Sequence, residues 1–203
     1  MRVSNIAVFV SGGGTNLQAL IDAKLRGEIP SGNFALVLAS RPDAYALERA
    51  NMHGIPARTV ARNAYSTQQD YEAALLSALD EYQIDIIVLA GYMHILSASF
   101  VSLYKNRILN VHPALIPSFS GKGFYGLRVH EAALNYGVKI TGATVHYVNE
   151  VPDGGEILLQ KAVEVLPGDT PLSLQRRVME EAEWVLLPQA VEMVCRKQNE
   201  ATQ

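Results

Sequence analysis

The sequence predicts an α/β fold, a Rossmann-like and mostly parallel twisted sheet with helices on both faces. Three features of the chain lead there. Continuous apolar, β-branched runs recur, and such runs mark strands covered on both faces. Segments with apolar residues at helical spacing alternate with them, the pattern of β-α-β units. The first run passes through three glycines directly into a helical segment, which puts that loop at the C-terminal end of its strand.

In chain order, "NIAVFV" (5–10) is the first strand. "TNLQALIDAKLRG" (15–27) follows as a helix, with Leu17, Leu20, Ile21 and Leu25 on one face, Thr15 as its N-cap and Gly27 as its stop. "FALVLAS" (34–40) is a second strand, residues 43–54 a helix ending at Gly54, and residues 56–61 a short strand. Residues 67–83 form a helix that gathers Tyr71, Leu75, Leu79 and Tyr82, and "IDIIVLAGY" (84–92) is the most apolar strand. After residue 92 the alternation loosens. Residues 97–106 predict a short helix capped by Ser97, "RILNVH" a strand, and residues 126–137 a helix. Residues 139–149 and 156–166 are strands separated by "EVPDGG", either antiparallel neighbours or an extension of the sheet. Residues 170–198 read as one long helix, bent at Pro188.

Composition narrows the function classes. The 203 residues make about one domain. Apolar residues are 49% of the chain, and 17 basic against 20 acidic side chains leave a net charge of −3. No basic footprint points to nucleic acid. The lone cysteine, Cys195, excludes a disulfide within the chain and a Cys-rich zinc site. No H-x-x-x-H or H-E-x-x-H spacing points to a metal, and no G-x-S-x-G to a serine nucleophile. No apolar stretch approaches the roughly 20 residues of a membrane span. The N-terminal apolar run is too short for a secretory signal. The expectation is a soluble, cytoplasmic protein.

Two groups of residues carry chemistry. "SGGGTNL" places Gly12, Gly13 and Gly14 between strand and helix, where bare backbone and a helix N-terminus favour an anion such as phosphate. Leu17 stands where the dinucleotide fingerprint needs its third glycine, and no Walker lysine follows. The second group starts from "ILNVHP". Asn110 and His112 are two apart on a strand and share a face, and Pro113 ends the ladder just beyond them. Both therefore lie at the sheet edge that carries the glycine loop. Asp153, in the glycine-flanked "EVPDGG" turn, is the carboxylate that could hold His112 and favour its charged form. A neutral donor, an imidazole and an acid suit acyl transfer to an amine. His53, His130 and His146 read as structural, His146 alternatively as a support to the site.

Five stretches, "SGGGTNLQAL", "LAGYMHILS", "ILNVHPALIPSF", "GATVHYVNEVPDGGEILLQ" and "VLPGDTPLSLQRRV", resemble the phosphoribosylglycinamide formyltransferases, folate-dependent enzymes of purine synthesis. The likeness runs in order over essentially the whole chain. It implies direct attack of the amine of glycinamide ribonucleotide on the formyl carbon of 10-formyltetrahydrofolate, with no metal and no covalent enzyme intermediate. Asn110 would donate to the formyl oxygen. His112 would stabilise the oxyanion and move protons. Asp153 would hold His112 charged and help carry the amine's proton to the folate nitrogen.

The resemblance also implies a formyltransferase-type fold in one domain, 1–203. Residues 1–92 would be its phosphate-binding half and residues 93–203 its folate-binding and catalytic half. Gly12, Gly13, Gly14 and Thr15 match the nucleotide-phosphate loop, with Asn16 close by. Glu183 matches an acid that contacts the nucleotide. An apparent extra residue between Arg177 and Pro188 makes Glu181 the other candidate. Asn110, Met93, His94, Ile95, Leu96, Asn149, Glu150, Val151 and Pro152 match the folate pocket, with Gln68 near the folate tail. Gln68 and His94 stand where relatives commonly carry arginine, and Lys122 and Arg128 are the cations that could compensate. The sequence itself leaves the Ile116–Pro117 bond open between cis and trans, and the resemblance suggests cis. The implied partners are two small-molecule substrates, with no nucleic acid and no membrane, in a monomer or homodimer. Formyltetrahydrofolate deformylase shares the Asn, His and Asp set but usually carries an N-terminal regulatory domain, for which this chain leaves no room. A nucleotide-binding module without catalysis would need only the glycine loop.

Overall fold

The computed structural model describes residues 2–201. Seven strands form one sheet: β1 (Ser4–Val10), β2 (Gly32–Ala39), β3 (Ala57–Thr59), β4 (Ile86–Leu89), β5 (Ile108–His112), β6 (Ile140–Tyr147) and β7 (Ile157–Glu164). Their order is β3-β2-β1-β4-β5-β6-β7. The first five are parallel; β6 runs antiparallel to β5, and β7 antiparallel to β6. The expected α/β fold with a mostly parallel sheet is therefore present. The last two strands are at once antiparallel neighbours and an extension of the sheet.

The helices are α1 (Thr15–Leu25), α2 (Ala46–Met52), α3 (Gln68–Glu81), α4 (Ala98–Leu103), α5 (Leu127–Tyr136), α6 (Pro171–Val178) and α7 (Trp184–Ala201). The pleat sorts β1 between two cores. Ile6, Val8 and Val10 point to one face, among Leu17, Leu20 and Ile21 of α1 and Leu187 and Val191 of α7. Ala7 and Phe9 point to the other, among Tyr71, Leu75 and Leu79 of α3 and Phe100 of α4. Burial on both faces is why the run carries no polar alternation. Among the described residues, no helix is long and apolar enough to cross a membrane.

Four local expectations are corrected. The N-cap of α1 is Gly14 in the left-handed region (φ 71°), not Thr15, which is the first helical residue. A Cβ on Gly14 would stand 2.6 Å from the Cβ of Ala46, so packing against α2 as well as conformation demands glycine. The helix expected over 43–54 begins only at Ala46, where its first amide donates to the Gly12 carbonyl at 3.1 Å. The strand expected over 84–92 stops at Leu89, because the sheet edge ends there and Gly91 turns the chain at φ 73°.

The long C-terminal helix breaks at a π turn, Met179–Glu183, rather than at Pro188, which sits inside α7. A π turn takes in one more residue than an α turn and so rotates the faces beyond it. Here it leaves Glu180 and Glu181 exposed and turns Ala182 and Glu183 inward.

Candidate active site

The C-terminal ends of β1, β4 and β5 open onto one edge of the sheet. Asn110 and His112 close β5 there, and β6 lies antiparallel beside them. Asn110 stands directly opposite His146 in the register, and His112 opposite Thr144. Directly opposed residues share a face. The Asn110 Nδ2 donates to His146 Nε2 at 3.2 Å. The other His146 nitrogen, Nδ1, lies 2.8 Å from the Tyr147 carbonyl, which can only accept, so Nδ1 carries the proton and Nε2 is free to receive Asn110.

His112 is almost fully buried, and both its ring nitrogens face acceptors. Nε2 donates to the Phe119 carbonyl at 2.8 Å, and Nδ1 lies 3.5 Å from Asp153 Oδ2. Asp153 is carried back over the end of β5 by the turn between β6 and β7. Asn149 Oδ1 accepts from the Val151 amide at 2.9 Å, and the Gly154 amide donates to the Val151 carbonyl at 2.9 Å. A Cβ on Gly155 would fall 1.7 Å from the Tyr147 carbonyl oxygen, so only glycine closes this turn. Asp153 itself holds φ 55°, a left-handed conformation that Asp and Asn tolerate better than most residues.

The electrostatics of Asp153 are a contest. Burial pushes its carboxyl up, but the adjoining His146 ring, the Gly121 amide at 2.8 Å and the nearby His112 outweigh that and hold it below the usual carboxylate range. Asp153 Oδ1 lies 3.6 Å from His146 Nε2, beyond the reach of a direct hydrogen bond.

The segment that follows β5 is pinned by Thr144. Its Oγ1 donates to the Ala114 carbonyl at 2.7 Å and accepts from the Ile116 amide at 3.1 Å. The Ile116–Pro117 bond, left open by the sequence, is cis.

Two cavities meet at this constellation and share Asn110 and Asp153 in their walls. A narrow cleft of about 130 Å³ is walled by His94, Ile95 and Leu96 on one side and Asn149, Glu150, Val151 and Pro152 on the other. A larger cavity of about 590 Å³ runs from His112 and His130 to Thr15, Asn16 and Glu183, with Met93 in its wall. Met93, Ile95 and Val151 are all more than half exposed at the rims, where a cluster of exposed apolar side chains marks a ligand surface.

Glu183 is buried, and Asn16 Nδ2 donates to its Oε2 at 2.8 Å. Burial pushes the Glu183 carboxyl up to about 7, against the pull of the Asn16 bond. The Asn16 Oδ1 is buried without a partner. Between the two acids left open by the sequence, the geometry brings Glu183 to the cavity and leaves Glu181 outside.

Not every expected residue reaches a cavity wall. Gly12, Gly13 and Gly14 lie next to Thr15 but line neither cavity. Around Gly12 and Gly13 an added Cβ would meet nothing within 4 Å, so this stretch of backbone is open to a ligand. Gln68 sits behind the cleft, donating to the Glu72 carboxylate at 2.7 Å and to the Ile95 carbonyl at 3.2 Å. Lys122 borders the larger cavity, whereas Arg128 lies over the Tyr125 ring.

Sequence reasoning missed the Phe119 carbonyl and the Gly121 amide, because backbone groups leave no residue signal. His130, read from the sequence as packed or solvent-facing, is fully buried in the wall of the larger cavity with both nitrogens unpartnered. Among the described residues, no group of three or more His, Cys, Asp or Glu side chains is arranged to hold a metal ion.

Comparison with known proteins bears on the same site. The family model described as formyl transferase matches residues 4–191. The chain is 41% identical over 174 residues to the phosphoribosylglycinamide formyltransferase of Escherichia coli, a match covering 86% of this chain and 79% of that protein. It is also 41% identical over 193 residues to the human trifunctional purine biosynthetic protein adenosine-3, covering 95% of this chain but only 18% of that much longer protein. Among solved structures, glycinamide ribonucleotide transformylase 1 from Symbiobacterium toebii superposes with a TM-score of 0.89 at 41% identity, covering 96% of this chain and 89% of that one.

Proposed function

The chain belongs to the formyl transferase family, and from that premise we propose that it transfers the formyl group of 10-formyltetrahydrofolate to the amine of glycinamide ribonucleotide in purine biosynthesis. The observation that carries the reading is the meeting of Asn110, His112 and Asp153 where the two cavities join. The narrow cleft fits a flat heteroaromatic ring system with polar edges: Ile95, Leu96, Val148 and Val151 supply apolar walls, and Asn110 and Asn149 supply donors and acceptors. The larger cavity fits a ribonucleotide. Glu183 and the free Asn16 Oδ1 are acceptors for its hydroxyl or amino hydrogens, and Gly12, Gly13 and Thr15 stand beside it for the phosphate.

The steps follow from what each side chain can donate or accept. Asn110 gives one amide proton to His146 and has a second for the formyl oxygen. His112 offers its Nε2 proton to the same oxygen once the Phe119 carbonyl yields it. Together they stabilise the negative charge that builds as the amine nitrogen bonds to the formyl carbon. Asp153, kept ionised, accepts the proton that the attacking nitrogen must lose. The bond from the formyl carbon to the folate nitrogen then breaks, and that nitrogen takes the proton that Asp153 accepted, which leaves the carboxylate ionised again. The nucleotide leaves as the formamide, and no metal is needed in these steps. In this reading residues 1–92 supply the phosphate loop and residues 93–203 the folate cleft and the catalytic groups, in a cytoplasmic monomer or homodimer.

The test is turnover of 10-formyltetrahydrofolate with and without glycinamide ribonucleotide. Formamide production that depends on the nucleotide is the expected result. Equal loss of the formyl group to water would make the protein a deformylase. No turnover with intact nucleotide binding would make it a binding module.

A further inference from the structure

We propose that Arg62 is the residue that recognises the carboxylates of the folate tail in this chain. The inference rests on the function proposed above. It starts from a deficit of charge: no lysine or arginine lines the narrow cleft, while Glu150 and Asp153 do. Gln68, which donates to the Ile95 carbonyl, is neutral, and burial together with the nearby Arg62 pushes the His94 pKa down, so neither supplies a fixed cation. A glutamyl tail carries two carboxylates, so a cation must come from somewhere else on the rim or the tail goes unrecognised.

Arg62 opens a short 3₁₀ turn, Arg62–Ala64, after β3, at the same edge of the sheet as the cleft. Its guanidinium lies over the Tyr71 ring, 5.7 Å from the centroid, and Tyr71 in turn meets the His94 ring edge-on at 6.0 Å. Arg62 Nε donates to Gln68 Oε1 at 3.2 Å, and Gln68 Nε2 donates to the carbonyl of Ile95, a cleft residue. Two contacts therefore link the guanidinium to the wall by either route. Arg62 Nη1 donates to the Tyr65 carbonyl at 2.8 Å. These contacts use two of five donors and leave Nη2 for a carboxylate.

None of the ion pairs among the described residues includes Arg62. The neighbouring Glu72 is committed elsewhere. Its oxygens accept from Gln68 and from the Ser97 amide, each at 2.7 Å, and from the Ser97 hydroxyl at 2.5 Å. A stacked, half-buried guanidinium fixed by neutral acceptors is oriented without being neutralised, as an anion-binding arginine must be. His94 does not duplicate it, because burial and the nearby Arg62 both push its pKa down. The sequence-level alternatives, Lys122 and Arg128, do not border the cleft.

The experiment compares Arg62→Ala and Arg62→Lys with the parent protein on two formyl donors, 10-formyltetrahydrofolate and the glutamate-free 10-formyltetrahydropteroate. Loss of one partly exposed charge-assisted contact should raise KM for the tail-bearing donor about tenfold in Arg62→Ala, leave KM for the tail-less donor within about twofold, and leave kcat nearly unchanged. Arg62→Lys should fall between, since an ammonium keeps the charge but not the fork. Added salt should weaken binding of the tail-bearing donor to the parent and not to Arg62→Ala. An equal loss on both donors would make Arg62 a structural prop, and no change on either would also overturn the proposal. A parent protein that uses neither donor removes the functional reading itself, whereas an active parent with no discriminating variant removes only this one.

Discussion

Asn110 and His146 face each other across the β5–β6 pair, and the carboxamide of the one donates to the ring of the other at 3.2 Å. With Nδ1 of His146 held by the Tyr147 carbonyl, Nε2 is an acceptor, and the amide of Asn110 can point only its nitrogen at it. His146 thus decides which way Asn110 faces. His146→Phe keeps the bulk and removes the acceptor. We expect kcat to fall about tenfold with both KM values nearly unchanged, because only the donor aimed at the developing oxyanion is disturbed. His146→Gln, which can accept again, should recover part of the rate. Steady-state kinetics on the three proteins checks this.

Asp153 is best tested with asparagine. At φ 55° an alanine would add backbone strain, whereas asparagine tolerates the conformation and can still accept from the Gly121 amide. Asp153→Asn should therefore fold normally and bind both substrates, yet lose about 10²–10⁴ in kcat as its proton acceptor disappears. Calorimetric titration beside turnover separates the two effects. Unchanged turnover would reject the role given to Asp153.

His130 and Glu183 line the same cavity, and their titrations move stability in opposite directions. Burial, helped by the nearby His112, pushes His130 from 6.5 down to about 4. The unfolded chain binds that proton first, so the stability His130 contributes is present above pH 6.5 and is lost as pH falls towards 4. Glu183 is raised from 4.5 to about 7. Its contribution is present below pH 4.5 and is lost as pH rises through 7. Each is worth up to ~3 kcal/mol across its window. Between pH 4.5 and 6.5 the slopes oppose. His130→Leu should expose the Glu183 slope, with stability falling as pH rises, and Glu183→Gln should expose the reverse. Urea melts at half-unit pH steps give both signs.

Much of this was legible in the sequence, and the failures have physical causes. The buried runs of β1, β2 and β4 announced a covered parallel sheet, and a two-residue spacing put Asn110 and His112 on one face. What the spacing could not give was the partner of β5. The direction of β6 is a tertiary choice, and the Asn110–His146 pair exists only because that choice was antiparallel. Pro188 drew attention to the wrong turn of the last helix, since the π turn ahead of it carries no residue signature. Glu183 could not be told from Glu181 until that turn fixed which acid faced inward.

The glycine loop separates fold from function within three consecutive residues. Gly14 has φ 71°, and its Cβ would collide with Ala46 at 2.6 Å, so Gly14→Ala must strain the backbone and push α2 away from α1. Overpacking of this kind typically costs about 1–3 kcal/mol, with the positive φ adding about 1 more. Gly13→Ala meets neither obstacle, because its Cβ enters open space. If that space is where the substrate phosphate approaches the backbone, Gly13→Ala should leave the melting temperature unchanged and raise KM for the nucleotide about tenfold, with KM for the folate unaffected. Gly14→Ala should show the opposite order, a lower melting temperature before any selective loss of nucleotide. Thermal melts and KM values for both substrates decide between them. A Gly13→Ala protein with normal nucleotide KM would move the phosphate away from this loop.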